Sequence, residues 1–249
     1  MNKLTIGIIS ALALAGSLPA NAQFNIVNPL PQKIQATGFT TVPQSVRIKT
    51  TSQRQQSIAV AALKSALKVE QGAKFTVTLG VKGDKSVKAY TKHLPDKAEA
   101  YWLSVSDKGA VVVGNDEEGL FYGVQTLLGS MAQGKLEKGT VSDWPDVDFR
   151  GTVEGFYGTP WSHQARLSQI EFYGRNKLNT YIYGPKDDPY HRDQWRKPYP
   201  ADEAQRIKQL NEVSKQNGVN FYWAIHPGVD IKWNNEDRDN LINKLEMMY

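Results

Sequence analysis

Residues 54–69, RQQSIAVAALKSALKV, space their apolar positions as one face of a helix does, and the flanking runs SVRIKT and KFTVTLGV alternate apolar with polar residues as half-buried strands do. AYWLSVSDKGAVVVGN repeats the alternation on both sides of Asp107-Lys108-Gly109 and predicts a hairpin. DEEGLFYGVQTLLGSMAQG predicts a helix over 116–134, with acids at its start that favour the helix dipole. Beyond residue 148 the pattern becomes a repeated unit. DFRGTVEGF, LNTYIYG and NFYWAIHPG read as strands. Each is followed by a helix: Pro160 to about Arg175, Ala201 to Asn217 with Gly218 as its stop, and residues 235–249. Strand–helix alternation of this kind predicts parallel strands with right-handed crossovers.

The two halves differ in texture. Residues 23–149 hold 10 aromatics in 127 positions, and residues 150–249 hold 15 in 100. The change falls at SDWPDVDFRG, which places a boundary near Asp148. The segment 23–147 therefore reads as a mixed α/β structural domain, with no residues at the spacing of a site, and 148–249 as the part that carries chemistry. Residues 1–22 stand apart. Lys3, an apolar run from Leu4 to Leu14 and the small-x-small triplet Ala20-Asn21-Ala22 have the form of a cleaved export signal, with Gln23 as the expected mature N-terminus in the periplasm or outside the cell.

Composition narrows the chemistry. The chain has no cysteine, which excludes a thiol nucleophile, a thiolate metal site and a lipidated cysteine. Without Lys3, 29 Lys and Arg face 25 Asp and Glu, and the excess is scattered through Lys82, Lys85, Lys88, Lys92 and Lys97 rather than gathered on a basic face. Nucleic acid is therefore not expected as a partner.

In parallel α/β architectures ligands meet the loops that follow the strands. The three such loops are EGFYGTPW, IYGPKDDPYHR and AIHPGVDIKW. Glycine lets a main chain approach a ligand closely, and aromatic faces beside polar groups suit a sugar ring. Glu154 reads as a buried acid paired with an arginine, with Arg150 one candidate. Trp161 and Trp195 divide evenly between pocket rim and packing, whereas Tyr183, Trp223 and Trp233 read as core. His163, His191 and His226 occupy three different loops, with neither HExxH nor an i, i+4 pair, so they read as structural rather than as metal ligands.

The runs RGTVEGFYGTPWSHQARLSQIEFYGRNKLNTYIYGPKDDPYHR and FYWAIHPGVDIKWNNEDRDNL resemble glycoside hydrolase family 84, the β-N-acetylglucosaminidases related to O-GlcNAc hydrolases. The preceding domain looks like the α/β domain found before the barrel in this family. The resemblance implies an N-terminal α+β domain followed by the first three βα units of a (β/α)8 barrel. It implies retaining hydrolysis in which the substrate's 2-acetamido oxygen is the nucleophile, an exception to the two-carboxylate scheme, with no metal and no cofactor. Gly155 would offer its carbonyl to a sugar hydroxyl, Tyr157 would line the same pocket, and Lys186 would donate to ring hydroxyls. The acids would be two adjacent aspartates at the end of the fourth strand. Asp187-Asp188 matches a supporting loop instead, and only 102 residues run from Asp148 to the end, so the pair is expected beyond Tyr249 and the chain reads as part of a longer frame. The implied partner is a GlcNAc-containing glycoconjugate or glycosaminoglycan. Two other readings stay open: a non-catalytic carbohydrate-binding remnant, and a metal-dependent amino-sugar deacetylase built on the three histidines.

Overall fold

The computed structural model describes residue 24 and residues 27–155, 159–228 and 230–248. The export signal and Tyr157 lie outside the described residues.

The first domain is built on strands β1 (Lys33–Thr41), β2 (Val46–Lys49), β3 (Phe75–Val81), β4 (Tyr101–Ser106), β5 (Gly109–Gly114), β6 (Met131–Ala132) and β7 (Lys135–Asp143). They form one mixed sheet in the order β1-β7-β4-β5-β3-β2, with β6 paired to β7. β2, β3 and β5 run parallel, while β4 is antiparallel to both β5 and β7. Helices α1 (Ile58–Ala66) and α2 (Glu117–Gly129) pack on each other over one face, where Leu63, Leu79, Val112, Leu120 and Leu127 are wholly buried. On the other face the 3-10 turn Lys88–His93 lays Tyr90 and His93 against Trp102, with ring centroids 5.8 and 5.0 Å away.

Several expectations are corrected here. α1 is shorter than 54–69 because the Ser57 hydroxyl caps it by accepting from the Val60 N–H. α2 ends at Gly129 rather than 134, since Met131–Ala132 pairs with β7. β1 and β7, the longest strands, were not anticipated. Their sequences KIQATGFTT and KLEKGTVSD are rich in small and charged residues, and their stability comes from pairing over a long register. Gly109 serves a different purpose from the turn. A Cβ there would lie 2.2 Å from the Thr76 carbonyl oxygen, so glycine is what lets β5 lie against β3.

The second domain is a parallel sheet in the order β10-β9-β8, from β8 (Gly151–Glu154), β9 (Thr180–Tyr183) and β10 (Asn220–Trp223). Helices α3 (His163–Arg175), α4 (Ala201–Gln216) and α5 (Asn235–Met248) follow the strands in turn. Ile170, Tyr173, Tyr181, Ile207, Leu210 and Val219 form the core between the strands and α3 and α4. Gly218, at φ +65°, takes the left-handed conformation that stops α4. Trp195 resolves as core, fully buried, whereas Trp161 is 37% exposed. Trp233, expected in the core, is 95% exposed, because the loop that carries it turns the indole outward.

Charged groups join the two domains beneath β8 and β9. The Lys177 ammonium, itself buried, donates to Asp143 at 2.9 Å and to the Tyr101 hydroxyl at 2.8 Å, and that hydroxyl donates to Asp143 at 2.8 Å. Burial pulls the lysine below its ordinary range, opposed by the Asp143 charge. Beside it Arg150 meets Glu99 at 2.5 Å and donates to the Lys177 carbonyl at 3.0 Å, while the Asn179 amide donates to the other Glu99 oxygen at 3.0 Å. Arg150 is thereby committed to the domain interface.

Asp143→Ala strands a buried ammonium and is expected to cost about 3–5 kcal/mol in a urea unfolding curve. Lys177→Met, which leaves Asp143 its tyrosine donor, is expected to cost clearly less. Equal losses would contradict this account of the interface.

Candidate active site

Parallel pairing brings the C-terminal ends of the three strands to one edge. β8 and β9 pair Glu154 with Tyr183, and β9 and β10 pair Tyr183 with Trp223. Past that edge the chain continues through Gly155, through Gly184-Pro185-Lys186 and through Ala224. A Cβ added to Gly184 would stand 3.8 Å from the Glu154 carbonyl oxygen and 3.3 Å from the Ala224 Cβ, so the three exits run side by side.

Glu154 is 5% exposed and holds α3 to the sheet. The Arg166 guanidinium donates to both its oxygens, Nε at 3.0 and 2.9 Å and a terminal nitrogen at 2.7 Å, and the Tyr181 hydroxyl donates to it as well. The expected buried ion pair is present, but with Arg166 in place of Arg150. Arg166 stacks over the Tyr183 ring at 5.2 Å. Burial pushes the Tyr181 and Tyr183 phenols well above their ordinary range, aided by Glu154 and Asp188 respectively, so both act as neutral donors.

Asp188 plays the matching part for the loop after β9. Its carboxylate accepts from the Tyr183 hydroxyl at 3.0 Å, the Tyr199 hydroxyl at 2.7 Å and the Tyr190 N–H at 2.8 Å. The Trp223 indole N–H in turn donates to Tyr199 at 3.0 Å. A third clamp joins this loop to the one after β10. Arg196 stacks on Trp195 at 4.3 Å and pairs with Asp230 at 2.5 Å and with Asp237 at 2.6 Å. Arg196, helped by the Lys232 N–H, holds the Asp237 carboxyl down to about 2.

Of the expected site residues, Gly155 and Lys186 are described and fall on this edge. Gly155 and Lys186 are exposed at the exits of adjacent strands. Gly155 contrasts with Gly151, where a Cβ would collide with the Thr180 oxygen at 1.6 Å. At Gly155 the nearest atom would be the Val153 oxygen at 4.0 Å, so nothing in the described fold demands glycine there. Asp187 is exposed and Asp188 buried, so the adjacent aspartates point into different surroundings. The three histidines are engaged separately: His163 with Gln209 at 2.8 Å, His191 with the Pro185 carbonyl at 2.8 Å, and His226 through Nδ1 with the Gly228 N–H at 3.2 Å. Among the described residues no three His, Asp or Glu side chains converge as a metal site.

At the opposite ends of the strands, beside the domain-joining charges, lies an interdomain cavity of about 430 Å³, lined in part by Leu30, Trp144, Val147 and Phe172. Its Lys177–Asp143 and Arg150–Glu99 pairs satisfy one another.

The comparisons agree with this geometry. Residues 150–249 match the family described as beta-N-acetylglucosaminidase, and residues 25–144 match domain 2 of glycosyl hydrolase family 20. CpGH84B superposes on 90% of the chain with a TM-score of 0.79 and 36% identity. The chain is similar in sequence and fold to this glycoside hydrolase family 84 protein. CpGH84D superposes over the same 90% with a TM-score of 0.73 and 25% identity. The Protein O-GlcNAcase of Rattus norvegicus is 38% identical over 99 residues, 39% of this chain. The Beta-hexosaminidase of Vibrio vulnificus is 34% identical over 124 residues, 49% of it. The chain covers 41% of CpGH84B and 11% of the rat protein. The sheet β8–β10 with its helices is thus a partial barrel of three strand–helix units, behind a mixed α/β domain.

Sequence reasoning missed Arg166, Tyr181, Arg196 and Asp237, because their partners lie on other elements at separations with no fixed spacing. Arg166 alone left a trace, as a basic residue inside the first turn of α3, where the helix dipole disfavours it unless an acid is near.

Glu154→Gln leaves the Arg166 guanidinium without its counter-charge and is expected to cost about 3 kcal/mol in chemical denaturation. Asp187→Ala, at an exposed position, should stay within about 0.5 kcal/mol. A large loss at Asp187 with none at Glu154 would reverse the roles assigned here.

Proposed function

We propose that this chain supplies the sugar-holding part of an exported glycosidase that removes terminal β-linked N-acetylglucosamine from a glycoconjugate or glycosaminoglycan. The observation that carries the reading is the pairing of exposed Gly155 with exposed Lys186 on neighbouring strand exits, while nearby Glu154 and Asp188 are buried and bonded. That edge offers a backbone carbonyl and an ammonium, a combination suited to neutral hydroxyls. The relatives' names, O-GlcNAcase and beta-hexosaminidase, give the sugar. Export rests on the leader-like residues 1–22.

In this reading Gly155 accepts from a ring hydroxyl, Tyr157 lines the same pocket and Lys186 donates to ring hydroxyls. The bound sugar's acetamido oxygen attacks the anomeric carbon to give an oxazoline, which water then opens with net retention. The step needs one acid to polarise the acetamido group and another to protonate the leaving oxygen. The described residues do not provide that pair at the strand ends. Glu154 is neutralised by Arg166, and Asp188 is held by two tyrosines. Sugar binding without turnover is the behaviour expected of these 249 residues.

Calorimetric titration with N-acetylglucosamine tests the reading. Saturable binding is expected, and Lys186→Ala should weaken it by about 1.5–3 kcal/mol, the range of a charged hydrogen bond, without lowering the melting temperature. No binding, or unchanged affinity in the variant, would remove the proposal. Release of 4-nitrophenol from its β-N-acetylglucosaminide by this chain would overturn the argument about the acids.

A further inference from the structure

His191 is the one histidine of the three loops that is buried, at 1% exposure, and the sugar-binding scheme gives it no part. It closes the 3-10 turn Pro189–His191, which Asp188 caps through the Tyr190 N–H. Its Nε2 lies 2.8 Å from the Pro185 carbonyl oxygen. A carbonyl only accepts, so Nε2 carries the proton and Nδ1 is a bare imine nitrogen. That Nδ1 is buried with no hydrogen-bond partner. The same residue's carbonyl accepts from the His226 N–H at 2.7 Å, in the loop after β10. One residue therefore grips both the peptide preceding Lys186 and the neighbouring strand exit.

We propose that His191 is the positioning residue of this edge: through Nε2–H on Pro185 and its own carbonyl on His226, it fixes the main chain that carries Lys186 against the loop after β10. The inference rests on the sugar-binding reading for its purpose, though not for its geometry. Pro185 has no N–H with which to tie its own turn, and among the described residues only the imidazole and the Asp188 N–H, at 3.1 Å, reach the Pro185 carbonyl. Lys186 itself projects into solvent, so its direction is inherited from the peptide behind it.

The arrangement also sets a pH dependence. Burial lowers the His191 pKa, and Arg192 and His226 lower it further, against the Pro185 carbonyl and the Asp188 charge, which raise it. A proton added at Nδ1 would find no acceptor. The unfolded chain binds that proton below about 6.5, and the folded chain only at lower pH. The stability contributed by the neutral, buried imidazole is therefore complete above pH 6.5 and is lost as the pH falls through the folded value, while the Nε2–H donation to Pro185 persists in both forms.

The test uses the 15N-labelled 249-residue chain, without substitution, titrated from pH 8 to pH 4. Long-range imidazole spectra should show His191 as the Nε2–H tautomer, protonating below 6.5, with the Lys186 and His226 amides shifting at the same midpoint. An Nδ1–H tautomer, or a Lys186 amide indifferent to that protonation, overturns the proposal. A second arm compares His191→Gln, whose amide can donate to Pro185, with His191→Phe. N-acetylglucosamine affinity should stay within about threefold in the first and fall about tenfold or more in the second. Equal affinity in both overturns the positioning role. Coupled amide shifts in a wild-type chain that binds no sugar would leave the grip standing and overturn the sugar-binding reading alone.

Discussion

A buried and a half-buried charge of one domain, Asp143 and Glu99, meet a buried and a half-buried charge of the other, Lys177 and Arg150, just beneath β8 and β9, and the geometry of the candidate site descends from that meeting. Asp143 and Glu99 leave water to accept Lys177 and Arg150, and each gains further donors from Tyr101 and Asn179. In a low-dielectric interface such a network tolerates little displacement, since any shift exposes an unpaired charge. Arg150 immediately precedes β8, Asn179 immediately precedes β9, and Lys177 lies two residues before Asn179. The points where both strands begin are therefore pinned to the first domain. Each strand is four residues long, so the points where they end follow as well.

At those ends several acids are spent on architecture. Glu154 anchors α3 through Arg166, Asp188 gathers Tyr183, Tyr190 and Tyr199, and Asp230 and Asp237 clamp Arg196. Gly155, Lys186 and Asp187 stay exposed. Such an edge offers donors and acceptors to neutral hydroxyls. The division of labour is physical: the carboxylates hold the loops in place, and the loops present the donor and the acceptor.

The repeated strand–helix unit after residue 148 was legible because each strand is short and aromatic and each helix has clear start and stop residues: Ser162 caps α3 and Gly218 ends α4. The exits of those strands could be read directly from the pattern, whereas Gly155 and Lys186 were singled out by the resemblance to glycoside hydrolase family 84. β1 and β7 were not legible, because their residues take on strand character only when paired with each other. The choice of Arg166 over Arg150 for Glu154 was equally hidden. Both arginines lie near it in sequence, and only the domain interface decides that Arg150 is already occupied by Glu99. Trp233 misled because an indole beside a predicted strand suggests burial, while the Arg196 clamp that shapes its loop joins residues 34 and 41 positions apart.

The central claim is that the edge formed by Gly155 and Lys186 holds an N-acetylglucosamine ring. A crystal structure of the chain with N-acetylglucosamine bound tests it most directly. The account predicts density for one sugar at the strand exits, with the Gly155 carbonyl and the Lys186 ammonium each within hydrogen-bond distance of a ring hydroxyl. A sugar seated instead in the interdomain cavity, or touching neither residue, would contradict it.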